Sequence, residues 1–214
     1  MKWNDHSPLA GRHAILSPSS YQWIRYSADE SREALFNRYR SEYAQMVGTV
    51  LHEFACKRIK YQMRLKKHDK DSVLFYLIDH GIPLNAVDYD YVFENLLYYV
   101  NDAIGYRMSP EVVLYYSDNC FGTADTISFN KNLLRIHDLK TGRMPAHMEQ
   151  LEIYAALFCL EYNKKPGEID IELRMYQPEN LVTLTPDVDE IVPIMDAIIS
   201  HDKFLTKIKN ESEN

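Results

Sequence analysis

The chain has 214 residues, of which 46% are hydrophobic and 26% are charged, a balance typical of one globular domain. No apolar run approaches the roughly 18 residues of a transmembrane helix, and the N-terminus lacks the apolar core of a secretory signal. We therefore expect an intracellular protein with no membrane partner. The formal net charge of −7 argues against non-specific coating of nucleic acid but leaves room for a local basic groove.

The cysteines are few and widely separated. No C-x-x-C pair is formed by the three cysteines, which are Cys56, Cys120 and Cys159. Three scattered thiols favour neither a disulfide framework nor a four-cysteine metal or cluster site, so we expect free thiols that are mostly buried.

The first half of the chain has helical periodicity, and we assign residues 1–108 to a helical part of a single domain. Apolar residues recur at helical spacing from Glu42 to Lys67 and again from Ala86 to Tyr106. The stretch HGIPLN at 80–85 separates the two patterns, because glycine and proline interrupt a helix.

The pattern changes at Ser109, where short runs rich in β-branched and aromatic residues begin. Three strands are predicted in EVVLYYS, GTADTISFN and LLRIHDLKT, with NKN as the turn between the last two. A helix follows in PAHMEQLEIYAALFCLEY, then two strands in EIDIELRMYQPENLVTLTP and a helix from about Asp189 to Lys209. This order predicts an α/β fold whose sheet core covers residues 109–209, a central mixed sheet flanked by helices, followed by a tail at 210–214.

Two acidic residues and a lysine lie on the predicted hairpin. Asp138 and Lys140 share a strand face because they are two residues apart, and the turn brings Asp125 of the preceding strand beside them. Neighbouring carboxylates share a proton or bind a cation, and a divalent metal fits better here because Mg²⁺ prefers hard oxygen ligands. The alternative is a surface ion pair between Asp138 and Lys140. The apolar residues LLRI before the pair argue against it, since they indicate a buried strand.

Four short motifs follow one another in a specific order. They are Gly48-x-x-x-His52, Gly122-x-x-Asp125, Asp138-x-Lys140-Thr-Gly and Gln150-x-x-x-Tyr154. Together they resemble the PD-(D/E)XK nuclease superfamily, in particular its RecB-like exonuclease branch. The order of LSPSSYQW, GTVLHE, FGTADTI, HDLKTG and QLEIYA is also similar to a group of phage-borne RecB-like proteins. This likeness implies a restriction-endonuclease-like core, a phage or prophage origin and a location in the cytoplasm of a bacterial host.

The resemblance implies a metal centre. Asp125 and Asp138 would ligate Mg²⁺ or Mn²⁺ together with the Leu139 carbonyl, and His52 would offer its imidazole to the same or a second ion. Imidazole is a softer ligand than Mg²⁺ prefers, so activity with Mn²⁺ is expected. Some relatives carry four cysteines for an iron–sulfur cluster, and with three cysteines we expect no such cluster here.

The remaining motif residues would serve catalysis. Lys140 would be the catalytic cation that stabilises the attacking water or the phosphate charge. Gln150 and Tyr154 lie one helical turn apart on one face, which suits them to hold DNA or the Lys140 region. Each could also be exposed on its helix without a function.

A basic segment, CKRIKYQMRLKKHDK, follows His52. It is a candidate phosphate track, although a solvated helix face is an equally good interpretation. Arg143 and His147, directly after Lys-Thr-Gly, are nearer to the expected site and are candidates for contact with the cleaved strand. The basic residues of the track are Lys57, Arg58, Lys60, Arg64, Lys66, Lys67 and Lys70.

These features predict a metal-dependent deoxyribonuclease, an exonuclease acting on DNA single strands or duplex ends in phage recombination, replication or repair. The alternative is a non-catalytic nucleic-acid-binding or assembly protein that keeps the nuclease fold and acts with a recombination or replication partner. A third interpretation is purely structural, with the acidic residues in salt bridges and no DNA bound.

Overall fold

The protein contains a five-stranded mixed sheet with helices on both faces. The computed structural model describes residues 31–142, 147–178 and 180–212, together with the isolated positions 16, 18 and 24. The helices are α1 (Ser31–Lys60), α2 (Lys70–Asp79), α3 (Tyr89–Gly105), α4 (Glu149–Glu161) and α5 (Val188–Ser212). The strands are β1 (Ser109–Ser117), β2 (Cys120–Asn130), β3 (Leu133–Leu139), β4 (Asp170–Gln177) and β5 (Asn180–Leu184).

Helix α1 ends earlier than its sequence pattern indicates. The expected helix runs to Lys67, whereas α1 stops at Lys60 and Gln62 adopts a left-handed φ of 56°. The Met63 N–H then donates to the Arg58 carbonyl at 2.8 Å, a helix-terminating arrangement. Residue Leu65 is 3% exposed, and its N–H and carbonyl both bond to the side chain of Asn101 on α3. Burial of Leu65 against α3 therefore outweighs the helix propensity of the basic segment.

The strands follow one another along the chain as predicted, three before α4 and two after it. Their order in the sheet is β1-β2-β3-β4-β5, with all neighbours antiparallel except β3 and β4. Helix α4 makes the crossover that a parallel pair requires. Lys131 and Asn132 both have positive φ, 49° and 62°, as the tight β2–β3 hairpin requires, so the predicted turn is confirmed.

Apolar side chains form two cores, one on each side of the sheet. The first joins α1, α2 and α3 to residues such as Leu139 and Tyr176 of the sheet. The second joins α4 and Ile191 of α5 to the other buried strand residues. The predicted α/β architecture, with a helical N-terminal half and a sheet flanked by helices, is therefore confirmed.

Two further observations concern the helices. Residues 210–212, which we expected in a tail, are helical because α5 continues to Ser212. Among the described helices, none is both long enough and apolar enough to cross a membrane.

Candidate active site

The candidate site lies where the β2–β3 ladder ends, between α1 and α4. Paired residues on these strands run from Asn130–Leu133 to Thr126–His137. Beyond the last pair, the Leu139 N–H donates to Oδ2 of Asp125 at 2.9 Å, so a carboxylate replaces the next ladder carbonyl. Asp125 is thereby fixed in position and retains its other oxygen for further ligands.

His52 of α1 contacts the same carboxylate. Its Nδ1 lies 3.3 Å from Asp125 Oδ2, and 30% of its side chain is exposed. Burial lowers the pKa of His52, but the hydrogen bond and charge of Asp125, with the charge of Asp138, raise it above its ordinary value. The carboxylates thus create a place that attracts positive charge, either a proton or a metal ion.

Asp138 and Lys140 form an ion pair that continues to α4. Lys140 Nζ lies 3.2 and 2.9 Å from the two oxygens of Asp138, and it donates to Gln150 Oε1 at 2.9 Å. Asp138 is only 3% exposed, so a surface salt bridge does not describe this pair. Burial, and then the charge of Asp125, raises the pKa of Asp138, while Lys140 opposes that rise.

Tyr154 joins α4 to β2. Its hydroxyl donates to the Thr123 carbonyl at 2.7 Å, and its ring lies against Gly122. A Cβ on Gly122 would come within 2.9 Å of the Tyr154 Cε1 atom. The two residues of the Gln-x-x-x-Tyr motif therefore make different contacts, since Gln150 holds the lysine and Tyr154 holds the strand that carries Asp125.

The donor set suits a hard divalent cation. Asp125 offers a carboxylate oxygen and His52 an imidazole nitrogen. Asp138 offers a second carboxylate, although it is not in the group of ligand atoms that lie within 4.8 Å of one another, which His52 and Asp125 form with Glu111. Oδ2 of Asp138 is buried and, among the described residues, has no well-formed hydrogen bond, although Lys140 Nζ is 2.9 Å away. That oxygen keeps acceptor capacity which a metal ion would use.

Two residues in the site were missed by sequence reasoning. Glu111 of β1 belongs to a group with His52 and Asp125 in which one ligand atom from each lies within 4.8 Å of the others. Asn95 of α3, 8% exposed, donates from Nδ2 to the carbonyls of Lys140 and Tyr176 at 3.0 and 2.9 Å. Asn95 stands among apolar residues of its helix, which is the signal that could have drawn attention to it.

An open cleft of about 820 Å³ leads to His52, Glu111 and Asp125. Lys57 and Lys60, two residues of the predicted phosphate track, line this cleft together with Tyr61. Lys57 Nζ also contacts Glu53 Oε1 at 2.6 Å.

The other predicted DNA contacts lie in different surroundings. The Arg58 guanidinium packs over the Phe54 ring at 5.0 Å, and Arg64 lies against Gly105 of α3. His147 is highly exposed, with Nδ1 3.8 Å from a Glu149 oxygen. Arg143 falls outside the described residues. Of the eight predicted DNA contacts that the structure describes, two, Lys57 and Lys60, therefore line the cleft.

Comparisons with known proteins assign the chain to a protein family. No curated protein matches the chain. A solved structure titled "Crystal structure of SSO0001" aligns with 69% of this chain and 85% of that chain, at 11% identity and a TM-score of 0.30. A family model described as "Protein of unknown function (DUF2800)" matches residues 13–202, and the chain belongs to that family.

Proposed function

We propose that the protein is a metal-dependent deoxyribonuclease with a PD-(D/E)XK core, an exonuclease that hydrolyses DNA from single strands or duplex ends. The observation that carries the proposal is the meeting of four motifs from four elements. His52 of α1 contacts Asp125 of β2, Asp125 holds the backbone of Leu139, and Lys140 joins Asp138 to Gln150 of α4. The resemblance supports an exonuclease in phage or prophage DNA recombination, replication or repair.

In this proposal the metal ion would be held by Asp125, Asp138, the Leu139 carbonyl and His52. A bound Mg²⁺ or Mn²⁺ would polarise a phosphoryl oxygen and lower the pKa of the attacking water. In the reaction the oxygen of water bonds to phosphorus and the bond from phosphorus to the leaving sugar oxygen breaks. The water gives up a proton to solvent, and the leaving oxygen takes one.

Lys140 is placed to stabilise the charge that develops on the phosphate. Two of the three protons of an ammonium group can be used by Asp138 and Gln150, and the third can be donated to a phosphate oxygen. Because Asp138 and Gln150 hold the group before substrate binds, little reorganisation is needed in the transition state.

The cleft beside His52 provides a path for the substrate. Lys57 and Lys60 supply charges that contact phosphates, and Tyr61, 66% exposed, offers a ring on which a base can stack. A local arrangement of this kind reconciles DNA binding with a formal net charge of −7.

The proposal is tested with end-labelled single- and double-stranded DNA in Mg²⁺, Mn²⁺ or EDTA. Wild-type protein should release label only with metal, and Lys140→Gln should cleave about 10²- to 10³-fold more slowly, as expected when a charge-stabilising donor is lost. Lys165→Gln is the matched control. Lys165 is exposed and pairs with Glu168 just before β4, at the opposite end of the sheet from Asp138.

Intact DNA under every condition would overturn the nuclease proposal. Binding of DNA by such an inactive protein would favour the non-catalytic nucleic-acid-binding alternative. Cleavage by Lys140→Gln at the wild-type rate would also contradict the proposal, because it would place the activity elsewhere or in a contaminant.

A further inference from the structure

Glu111 has an unusual backbone for a strand residue. It lies in the register opposite Asp125, between the pairs Pro110–Thr126 and Val112–Ala124. Its φ is 54°, in the left-handed region that is sterically costly for any residue with a Cβ. A glutamate at such a position, directly beside an aspartate, suggests a role that offsets both the backbone strain and the charge repulsion.

The carboxylate of Glu111 lies with the other cation-binding groups of the cleft. Each of the three residues Glu111, His52 and Asp125 has one ligand atom within 4.8 Å of a ligand atom of the other two. Partial desolvation, and then the charge of Asp125, raises the pKa of Glu111. Within the described part of the chain, no lysine or arginine forms an ion pair with it, whereas Glu53 in the same cleft is paired with Lys57 at 2.6 Å.

We propose that Glu111 is a metal ligand, which binds a divalent cation together with His52 and Asp125 on the cleft side of the site. This inference rests on the proposed function, since it extends the metal centre of that function by one residue. Two carboxylates and an imidazole suit Mn²⁺ better than Mg²⁺, because nitrogen is a softer ligand than Mg²⁺ prefers. The position of Glu111 also places the cation in the same cleft that Lys57 and Lys60 line.

The test is calorimetric titration of the metal-free protein with MnCl₂ in the absence of DNA. Glu111→Gln keeps the size of the side chain but removes its charge, and it should raise the Kd for Mn²⁺ at least tenfold. Glu53→Gln is the matched control, because Glu53 lines the same cleft but its carboxylate is already paired. Its Kd should stay within twofold of the wild-type value.

A second variant separates ligand loss from misfolding. Glycine accepts a φ of 54° without strain, so Glu111→Gly should melt at or above the wild-type temperature while losing Mn²⁺ affinity as Glu111→Gln does. Unchanged Mn²⁺ affinity in a folded Glu111→Gly or Glu111→Gln protein overturns the inference. The proposed function would survive that result if wild-type protein still cleaved DNA and Lys140→Gln did not, so the two failures are distinguishable.

Discussion

Individual residues of the site have both structural and chemical contacts. Asp125 accepts the Leu139 N–H and contacts His52, so the same carboxylate ends the β2–β3 ladder and is a candidate metal ligand. Glycine is needed at position 122 because a Cβ there would lie too close to the Tyr154 ring. The glycine and tyrosine of two separate motifs are therefore one packing contact.

Gly122→Ala should destabilise the protein through Tyr154. The added methyl group would lie 2.9 Å from Cε1, and relieving such overpacking costs about 1–3 kcal/mol of unfolding free energy. In a Tyr154→Ala background the same substitution should cost almost nothing. Urea denaturation of the four proteins measures this coupling, and an equal cost in both backgrounds would contradict the contact.

A second motif glycine, Gly48, provides the control for that cycle. A Cβ on Gly48 of α1 would meet Thr141 Oγ1 at 3.4 Å, an ordinary van der Waals distance. Because alanine favours a helix over glycine by roughly 0.5–1 kcal/mol, Gly48→Ala should leave stability unchanged or raise it.

At the scale of elements, α3 positions the ends of two strands. Asn95 donates to the carbonyls of Lys140 and Tyr176, and the Lys140 N–H donates to the same Tyr176 carbonyl at 2.8 Å. The backbone that carries the candidate catalytic lysine is thus held from outside the sheet. Asn101, further along α3, makes two comparable bonds to the backbone of Leu65, away from the site.

Asn95→Ala should separate positioning from stability. The carbonyls of Lys140 and Tyr176 lose a donor, which should lower the free energy of unfolding by about 1–3 kcal/mol. Lys140 also loses its backbone support, so kcat for DNA cleavage should fall about tenfold or more. Asn101→Ala should lose comparable stability while keeping kcat. The checks are urea denaturation and single-turnover cleavage, and equal kcat for the two variants would show that Asn95 is only structural.

At the scale of the whole molecule, the order of helices and strands along the chain, the mixed sheet, and the shared face of Asp138 and Lys140 could be predicted from periodicity, whereas the order of the strands within the sheet was not predicted. Counting back from the β1–β2 turn would have misplaced Glu111 by one residue, because the register shifts between Ser117 and Tyr115, and only beyond that shift does Glu111 lie opposite Asp125. The left-handed φ of Glu111 could not be predicted, since it contradicts the local preference of glutamate. The end of α1 was missed because long-range burial of Leu65 decides it.

A second buried polar group lies on the face of β3 opposite Asp138. His137 is fully buried against the rings of Tyr106 and Tyr176. Arg135 and Arg174 stack on Tyr106 and share the Glu172 carboxylate, whose Oε1 is 4.0 Å from His137 Nε2. Burial, and then the charges of Arg174 and Arg135, lowers the pKa of His137 to about 3.

This histidine should make folding stability depend on pH. Its pKa is lower in the folded protein than the ordinary unfolded value of about 6.5, so protonation favours the unfolded chain. Above about pH 6.5 His137 is neutral in both the folded and the unfolded chain, so it does not make the free energy of unfolding depend on pH. Below that pH the free energy of unfolding falls by up to about 1.4 kcal/mol per pH unit until the folded pKa is reached.

His137→Phe should flatten that dependence and keep the fold, because a phenyl ring can pack against the Tyr106 and Tyr176 rings as the imidazole does. The substitution removes little hydrogen bonding, since Nε2 has no hydrogen-bond partner among the described residues and Nδ1 has only a 3.5 Å contact with the Tyr176 hydroxyl. Urea denaturation in EDTA between pH 7.5 and 4.5 compares the two proteins, and carboxylates that titrate in both cancel in the difference. His68→Gln, which replaces a histidine at an exposed position, is measured beside them as the control. Parallel curves for wild type and His137→Phe would contradict the prediction, because they would mean that the pKa of His137 is the same in the folded and the unfolded chain. A wild-type stability that rises relative to the variant as pH falls would also contradict it, because it would mean that the folded protein favours protonated His137, with Glu172 as its counter-charge.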